Sequence, residues 1–140
     1  MSLNLVPGGV LVSLGSDLVD VDRIRGVWDR QGERFLERVF TEEERCYCLG
    51  MKYPHKHFAA RFAAKEAVAK AFSTGIGPLL SWKSVSVYHG ERMDPRVRLD
   101  EKGQALLHEA GATHVLLTLA HTDGQALAVA ALVRAEKGSP

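Results

Sequence analysis

One stretch of this 140-residue chain, FAARFAAKEAVAKAFSTGIG from Phe58 to Gly77, constrains the fold most: its pattern is helical, yet it leaves no proper side for water. At 3.6 residues per turn, Ala60, Ala63, Ala64, Ala67 and Ala71 form a small-residue stripe, while Phe58, Phe62, Val68, Ala69 and Phe72 form a bulky one. Both stripes are expected to be buried. Arg61 and Lys65 fall in the bulky sector, and Glu66 and Lys70, one turn apart, share the narrow gap between the stripes. An unpaired charge so close to a core costs several kcal/mol or neutralises itself, so these four side chains need partners. On this helix alone two readings stand. Glu66 and Lys70 fit an ordinary i,i+4 pair worth about 0.2–0.5 kcal/mol, with Arg61 and Lys65 as snorkelling stems. The same four residues also fit a functional site.

With 46% hydrophobic residues, the chain suits one domain with a core, expected over residues 10–135, with a loose extension at 1–9 and a tail at 136–140. No apolar run reaches the roughly 18–20 residues needed to cross a bilayer, and the start lacks a secretory pattern. A cytoplasmic protein with no membrane span is expected. Cys46 and Cys48 point about 200° apart on a helix, so they neither bridge nor chelate together and are expected to be reduced. A formal charge of +1 argues against general nucleic-acid binding. Basic residues nevertheless cluster twice, as Arg23, Arg25, Arg30 and Arg34, and as Lys52, His55, Lys56 and His57.

Along the chain, Val10 to Leu14 predicts a buried strand that delivers Ser16 and Asp17 at its end. Val21, Ile24, Val27 and Trp28 then recur at helical spacing, with Trp28 expected in the core. Thr41 and Glu44 form a capping box for a short helix ending at Gly50, and Pro54 suits the first turn of the alanine-rich helix. That helix should end near Ser73, before Thr74, Gly75, Ile76, Gly77 and Pro78. A hairpin is expected from Val85–Val87 and Val97–Leu99, a helix from Asp100 to Gly111, and strands at His114–Ala120 and Gln125–Val133 joined through Asp123-Gly124. The order predicts an α+β fold, an antiparallel sheet with helices packed on it.

Two segments, GSDLVDVDRI at Gly15–Ile24 and RFAAKEAVAKAFSTGIG at Arg61–Gly77, resemble the paired signature motifs of holo-(acyl-carrier-protein) synthases, within the 4'-phosphopantetheinyl transferase superfamily. The final LTLAHTDGQALAVAALV is similar to that family's C-terminal pattern, so the likeness runs from Val12 to Val133. It implies magnesium-dependent transfer of 4'-phosphopantetheine from coenzyme A to a serine of an apo acyl carrier protein, of fatty-acid or polyketide type, releasing adenosine 3',5'-bisphosphate. It further implies Asp17 and Glu66 as metal ligands, Glu66 and Lys70 as catalytic residues, Arg61 and His121 as coenzyme contacts, and a homotrimer with its active sites between subunits. The sequence departs from the family at Ser73, where Gly is frequent, at Ser16, and at Met93, where a Gly commonly stands two residues before the proline.

Physical chemistry is consistent with those roles. Magnesium takes one or two carboxylates with water and phosphate oxygens, and Lys70 can reach the same oxygens as a compact cation. Candidate acceptors for the serine proton are Glu66, a metal-bound or carboxylate-oriented water, or another carboxylate such as Glu44. Lys52 and Lys56, with their histidines, could hold the coenzyme's 3'-phosphate, and the backbone at Thr74, Gly75 and Gly77 could approach the nucleotide. Arg23, Arg25 and Arg30 offer a basic helix to an acidic carrier. The rival readings are a catalytically silent carrier-binding module and a different magnesium enzyme acting on a nucleotide or pyrophosphate.

Overall fold

The alanine-rich helix, α4 (Pro54–Ala71), is the axis of the structure. Twelve of its eighteen residues are buried, so both stripes are covered as expected, and Pro54 occupies the first turn, where its missing N–H leaves no bond unmade. The computed structural model describes residues 9–136; the rest of the expected extension and tail lies outside the described residues. Ahead of α4 come β1 (Val10–Asp20), α1 (Val21–Gln31), α2 (Glu33–Val39) and α3 (Glu42–Leu49). After it come a 3-10 turn at Trp82–Ser84, β2 (Val85–His89), β3 (Pro95–Leu99), α5 (Glu101–Glu109), β4 (His114–His121) and β5 (Gln125–Arg134).

The strands form two antiparallel sheets rather than one: β1-β5-β4, and the separate hairpin β2-β3. The α+β fold with helices packed on antiparallel strands is the expected class. Within it β1 departs from the pattern in the sequence. It runs on past Leu14 to Asp20 because β5 pairs with it throughout, Gly15 opposite Ala130 and Asp17 opposite Ala128. Asp17 therefore lies inside a strand, not at its end. Two-residue alternation turns Ser13, Gly15, Asp17 and Val19 toward α4, while Leu14, Ser16 and Leu18 face away. Ala126, Ala128, Ala130 and Leu132 of β5 are fully buried on the α4 side. Small residues on both elements let sheet and helix approach closely.

The helix at Glu33–Val39 is not anticipated by the sequence pattern. Gly32, at φ 63°, ends α1 and starts α2, which buries Phe35, Leu36 and Val39. The Thr41–Glu44 capping box is formed, and Asp100 caps α5 through the Gly103 amide at 3.0 Å. Trp28 packs edge-on against Phe58 at 5.2 Å, on the margin of the core. On the sheet face turned away from α4, Leu14, Leu18 and Leu127 are 59%, 58% and 39% exposed. No described helix is long and apolar enough to cross a membrane.

Candidate active site

Two contacts join the first motif to the second. A Cβ on Gly15 would collide with the Ala67 carbonyl and lie 2.6 Å from the Ala71 amide nitrogen, and Ser13 Oγ donates to the Ala71 carbonyl at 2.7 Å. Two residues further along β1, this approach brings Asp17 against α4. Lys70 Nζ donates to Asp17 Oδ1 at 3.0 Å and to the Ser16 carbonyl at 3.0 Å. Glu66 stands one turn before Lys70 on the margin between the buried stripes and solvent. Its carboxyl is pushed up, first by burial and then by the negative charge of Asp17, against the opposing pull of Lys70 and Arg23. Arg23 reaches over from α1, its guanidinium 5.8 Å from the centre of the Phe62 ring. The structure thus brings Asp17, Glu66, Lys70 and Arg23 together, although Arg23 was expected only as a docking residue.

This donor set fits a divalent cation. Asp17 opposes the ionisation of Glu66 from a different element, and the only ion pair to either among the described residues is a Lys70 contact half open to solvent. Such a pair has an unmet need for positive charge, which magnesium bound through one or two carboxylates supplies. Glu44 has no such freedom. It is fully buried, its Oε1 lies 2.7 Å from Lys65 Nζ, and its Oε2 accepts from the Val87 amide at 2.9 Å. Lys65 also donates to the Trp82 and Val85 carbonyls. Glu44 is thereby removed as a proton acceptor, since it touches no solvent and holds α3, α4 and β2 together.

The remaining residues divide into separate groups. Arg61 is 2% exposed and stacks on Tyr47 of α3, 4.3 Å from the ring centre. Beside it, His57 contacts His121 of β4 at 5.5 Å and His89 of β2 contacts Tyr47 at 4.7 Å. Arg61, Tyr47 and all three histidines line a cavity of about 200 Å³. Sequence reasoning named Arg61 and His121 as coenzyme contacts and His57 among the phosphate-binding candidates, but missed Tyr47 and His89. The i,i+4 spacing of His57 and Arg61 was the available signal; the other residues come from α3 and β2, and only the fold unites them.

Lys52 and Lys56 stand elsewhere, with Arg25, Tyr53, His55 and Asp123, around a cavity of about 530 Å³. Lys56 lies 3.7 Å from Asp123, and Arg25 lies 3.8 Å from Asp22. The basic cluster at 52–57 is therefore split by the helix, His57 facing away from the lysines. Neither Asp17 nor Glu66 lines this larger cavity, and the coupled carboxylates, rather than cavity size, mark the chemical centre. Arg30 lies exposed in the last turn of α1. At the exit of α4, the Thr74 and Gly75 amides both donate to the Ala69 carbonyl at 3.2 Å, and the Gly77 amide to Leu80 at 3.0 Å. Gly75 needs its glycine for a φ of 63°.

The model of the 4'-phosphopantetheinyl transferase superfamily matches residues 13–130. The holo-(acyl-carrier-protein) synthase of Chlamydia trachomatis is 46% identical over 120 residues, covering 86% of this chain and 98% of that protein. Among solved structures, the Neisseria meningitidis holo-(acyl-carrier-protein) synthase superposes with a TM-score of 0.82 at 29% identity, covering 88% of this chain and 98% of the other. The Helicobacter pylori enzyme of the same name, in complex with coenzyme A, gives 0.75 at 27% identity, over 85% and 98%. A Bacillus anthracis holo-(acyl-carrier-protein) synthase in complex with coenzyme A (3',5'-ADP) gives 0.75 at 31%, over 89% and 98%. The match spans both motifs and the sheet that joins them: the chain belongs to the 4'-phosphopantetheinyl transferase superfamily and is a transferase enzyme.

Proposed function

We propose that the protein is a holo-(acyl-carrier-protein) synthase that transfers 4'-phosphopantetheine from coenzyme A to a serine of apo acyl carrier protein. The observation that carries this is the Asp17–Glu66–Lys70 cluster, formed where the two motifs meet. In the transfer, the serine oxygen bonds to the phosphorus that bears the pantetheine arm. The bond from that phosphorus to the nucleotide's phosphate breaks, and adenosine 3',5'-bisphosphate leaves with the electron pair. Asp17 and Glu66 would hold magnesium, whose chemistry when bound is to take up charge on the pyrophosphate. Lys70 supplies a second cation for the same oxygens. The serine proton goes to a water oriented by these carboxylates, since Glu44 is sealed away.

The coenzyme contacts under this reading are Arg61, His121, Lys52 and Lys56, with Thr74, Gly75 and Gly77 presenting loop backbone. On an α-helix, Arg61 and Glu66 point about 140° apart and Arg61 and Lys70 about 180° apart. The two sets face opposite sides of α4, so one coenzyme meets both only if a neighbouring copy supplies one of them. The apolar face at Leu14, Leu18 and Leu127 suits such a neighbour, and together they support a homotrimer with shared sites. Arg23, Arg25 and Arg30 line α1 as the docking side for an acidic carrier, and the free thiols at Cys46 and Cys48 suit the cytoplasm.

Intact-mass measurement of an apo carrier incubated with coenzyme A tests the proposal. A magnesium-dependent mass gain is expected for the wild type and none for Asp17→Ala or Glu66→Ala. Added magnesium should also raise the melting temperature of the wild type but of neither variant, a readout independent of turnover. Undiminished transfer by both variants would refute the metal assignment.

A further inference from the structure

Resting on the carrier-docking reading above, we propose that Phe62 and Trp82 are positioning residues for the transfer: their packed rings hold the Arg23 guanidinium, unneutralised, beside Glu66, where it receives an acidic side chain of the carrier. Arg23 already belongs to the proposed docking side. The aromatic support that aims it, and the buried lysine that fixes that support, go beyond it.

The arginines of α1 differ in what they touch. Arg25 lies 3.8 Å from Asp22 on its own helix, whereas Arg23, an exposed side chain, makes no ion pair among the described residues. Its guanidinium rests instead over the Phe62 ring, 5.8 Å from the centre. Phe62 and Glu66 are one turn apart on α4, so a cation over that ring stands beside the carboxyl, and Arg23 is the α1 residue whose charge is felt there. An acid in place of Phe62 would neutralise Arg23 and compete with any incoming carboxylate. A ring face restrains the guanidinium while leaving its charge and its fork of donors available.

The ring is itself held. Phe62 is 8% exposed and packs against the Trp82 side chain, with ring centres 4.8 Å apart and planes tilted by 32°. Trp82 opens the 3-10 turn that leads into β2, and its carbonyl accepts from the buried Lys65 Nζ at 3.0 Å. The same turn is closed by a contact between the Ser81 and Ser84 hydroxyls at 2.9 Å, and Ser84 Oγ donates to Asp100, the cap of α5, at 2.9 Å. Lys65 is thus tied to Trp82, Trp82 to Phe62 and Phe62 to Arg23. A guanidinium preset in this way loses less freedom on meeting a carboxylate than a free one, so the support acts on carrier recognition rather than on the chemical step.

Transfer to apo acyl carrier protein, followed by intact mass at fixed magnesium while carrier and coenzyme A are varied in turn, separates the two KM values. Phe62→Leu should raise the carrier KM by roughly two- to fivefold, the reach of an exposed cation–π contact, with kcat and the coenzyme KM unchanged, and Trp82→Leu should act in the same direction. Trp82→Phe, which keeps a ring against Phe62, should hold the wild-type value. In an Arg23→Ala background, itself raised in carrier KM, Phe62→Leu should add nothing. A partly unfolded variant lowers kcat and leaves KM alone, so loss of fold does not imitate the result. An unchanged carrier KM in both leucine variants, or the same increment with and without Arg23, overturns the inference alone, the second because the rings would then act on the carrier directly. An unchanged carrier KM in Arg23→Ala overturns it together with the docking assignment, and no transfer by the wild type overturns it together with the proposed function.

Discussion

Gly15 of β1 and Ala67 of α4 touch backbone to backbone, with no room for even one methyl group between them. The contact sets the distance between the strand carrying Asp17 and the helix carrying Glu66, which is why both motifs contain small residues at the crossing. Gly15→Ala must push β1 away from a rigid helix backbone rather than from a flexible side chain. Overpacking of this kind costs about 1–3 kcal/mol. The expected result is a lowered midpoint in urea together with a loss of transfer activity larger than the unfolded fraction explains. Full activity in a stably folded Gly15→Ala protein would show that the two motifs need no such contact.

The Lys65–Glu44 pair makes a different kind of prediction, because both groups are fully buried at 2.7 Å. Desolvation pulls the Lys65 ammonium down, and Glu44 holds it up. Removing one partner leaves a buried charge and, for Glu44, an unpaired Val87 amide. Lys65→Met or Glu44→Leu should each destabilise by about 3–5 kcal/mol. The double variant Lys65→Met/Glu44→Leu should cost clearly less than the sum of the single changes, as chemical denaturation of all three would measure. Additive losses would mean that the two side chains act independently.

How much of this was legible in the sequence follows from how local each signal is. The stripes of α4 and the Thr41–Glu44 box are periodic or short-range, and both are realised, whereas Lys70 pairs with Asp17 of β1 rather than with Glu66 one turn away. Glu44, however, reads as a cap residue, and nothing local reveals that its other oxygen binds Val87, 43 residues away. The extension of β1 past Leu14 was illegible for the same reason, since it depends on pairing with β5 at the far end of the chain. The Arg61 pocket draws on α3, α4, β2 and β4, so only its His57–Arg61 spacing lay within one element.

Two departures from the family pattern turn out to share a backbone feature. Ser73 and Met93 are both non-glycine residues at positive φ, 62° and 60°, and both stand where the resembling family commonly has glycine. A side chain in the left-handed region costs roughly 1–2 kcal/mol, of which glycine's freer unfolded chain returns about 0.4–1. Ser73→Gly and Met93→Gly should each raise stability by up to about 1 kcal/mol, read from denaturation midpoints at unchanged slope. Destabilisation by both would mean that hydrogen bonding in these loops outweighs the backbone strain.

The histidines predict the acid limb of stability. His55, His57 and His89 are all held below the ordinary imidazole value of 6.5, in each case first by burial. Below about pH 6.5 the unfolded chain therefore binds more protons than the folded one, and unfolding free energy falls as pH drops toward the folded-state values; above that pH their contribution is fully present. Glu66, raised from 4.5, has the opposite slope, since its folded form holds its proton longer, so wild-type curves alone mix the two. Comparison with His57→Asn/His89→Asn removes Glu66 from the difference. Urea unfolding from about pH 5 to pH 8 should show a shallower acid decline in the double variant than in the wild type. An identical decline would place the acid sensitivity outside the Arg61 pocket.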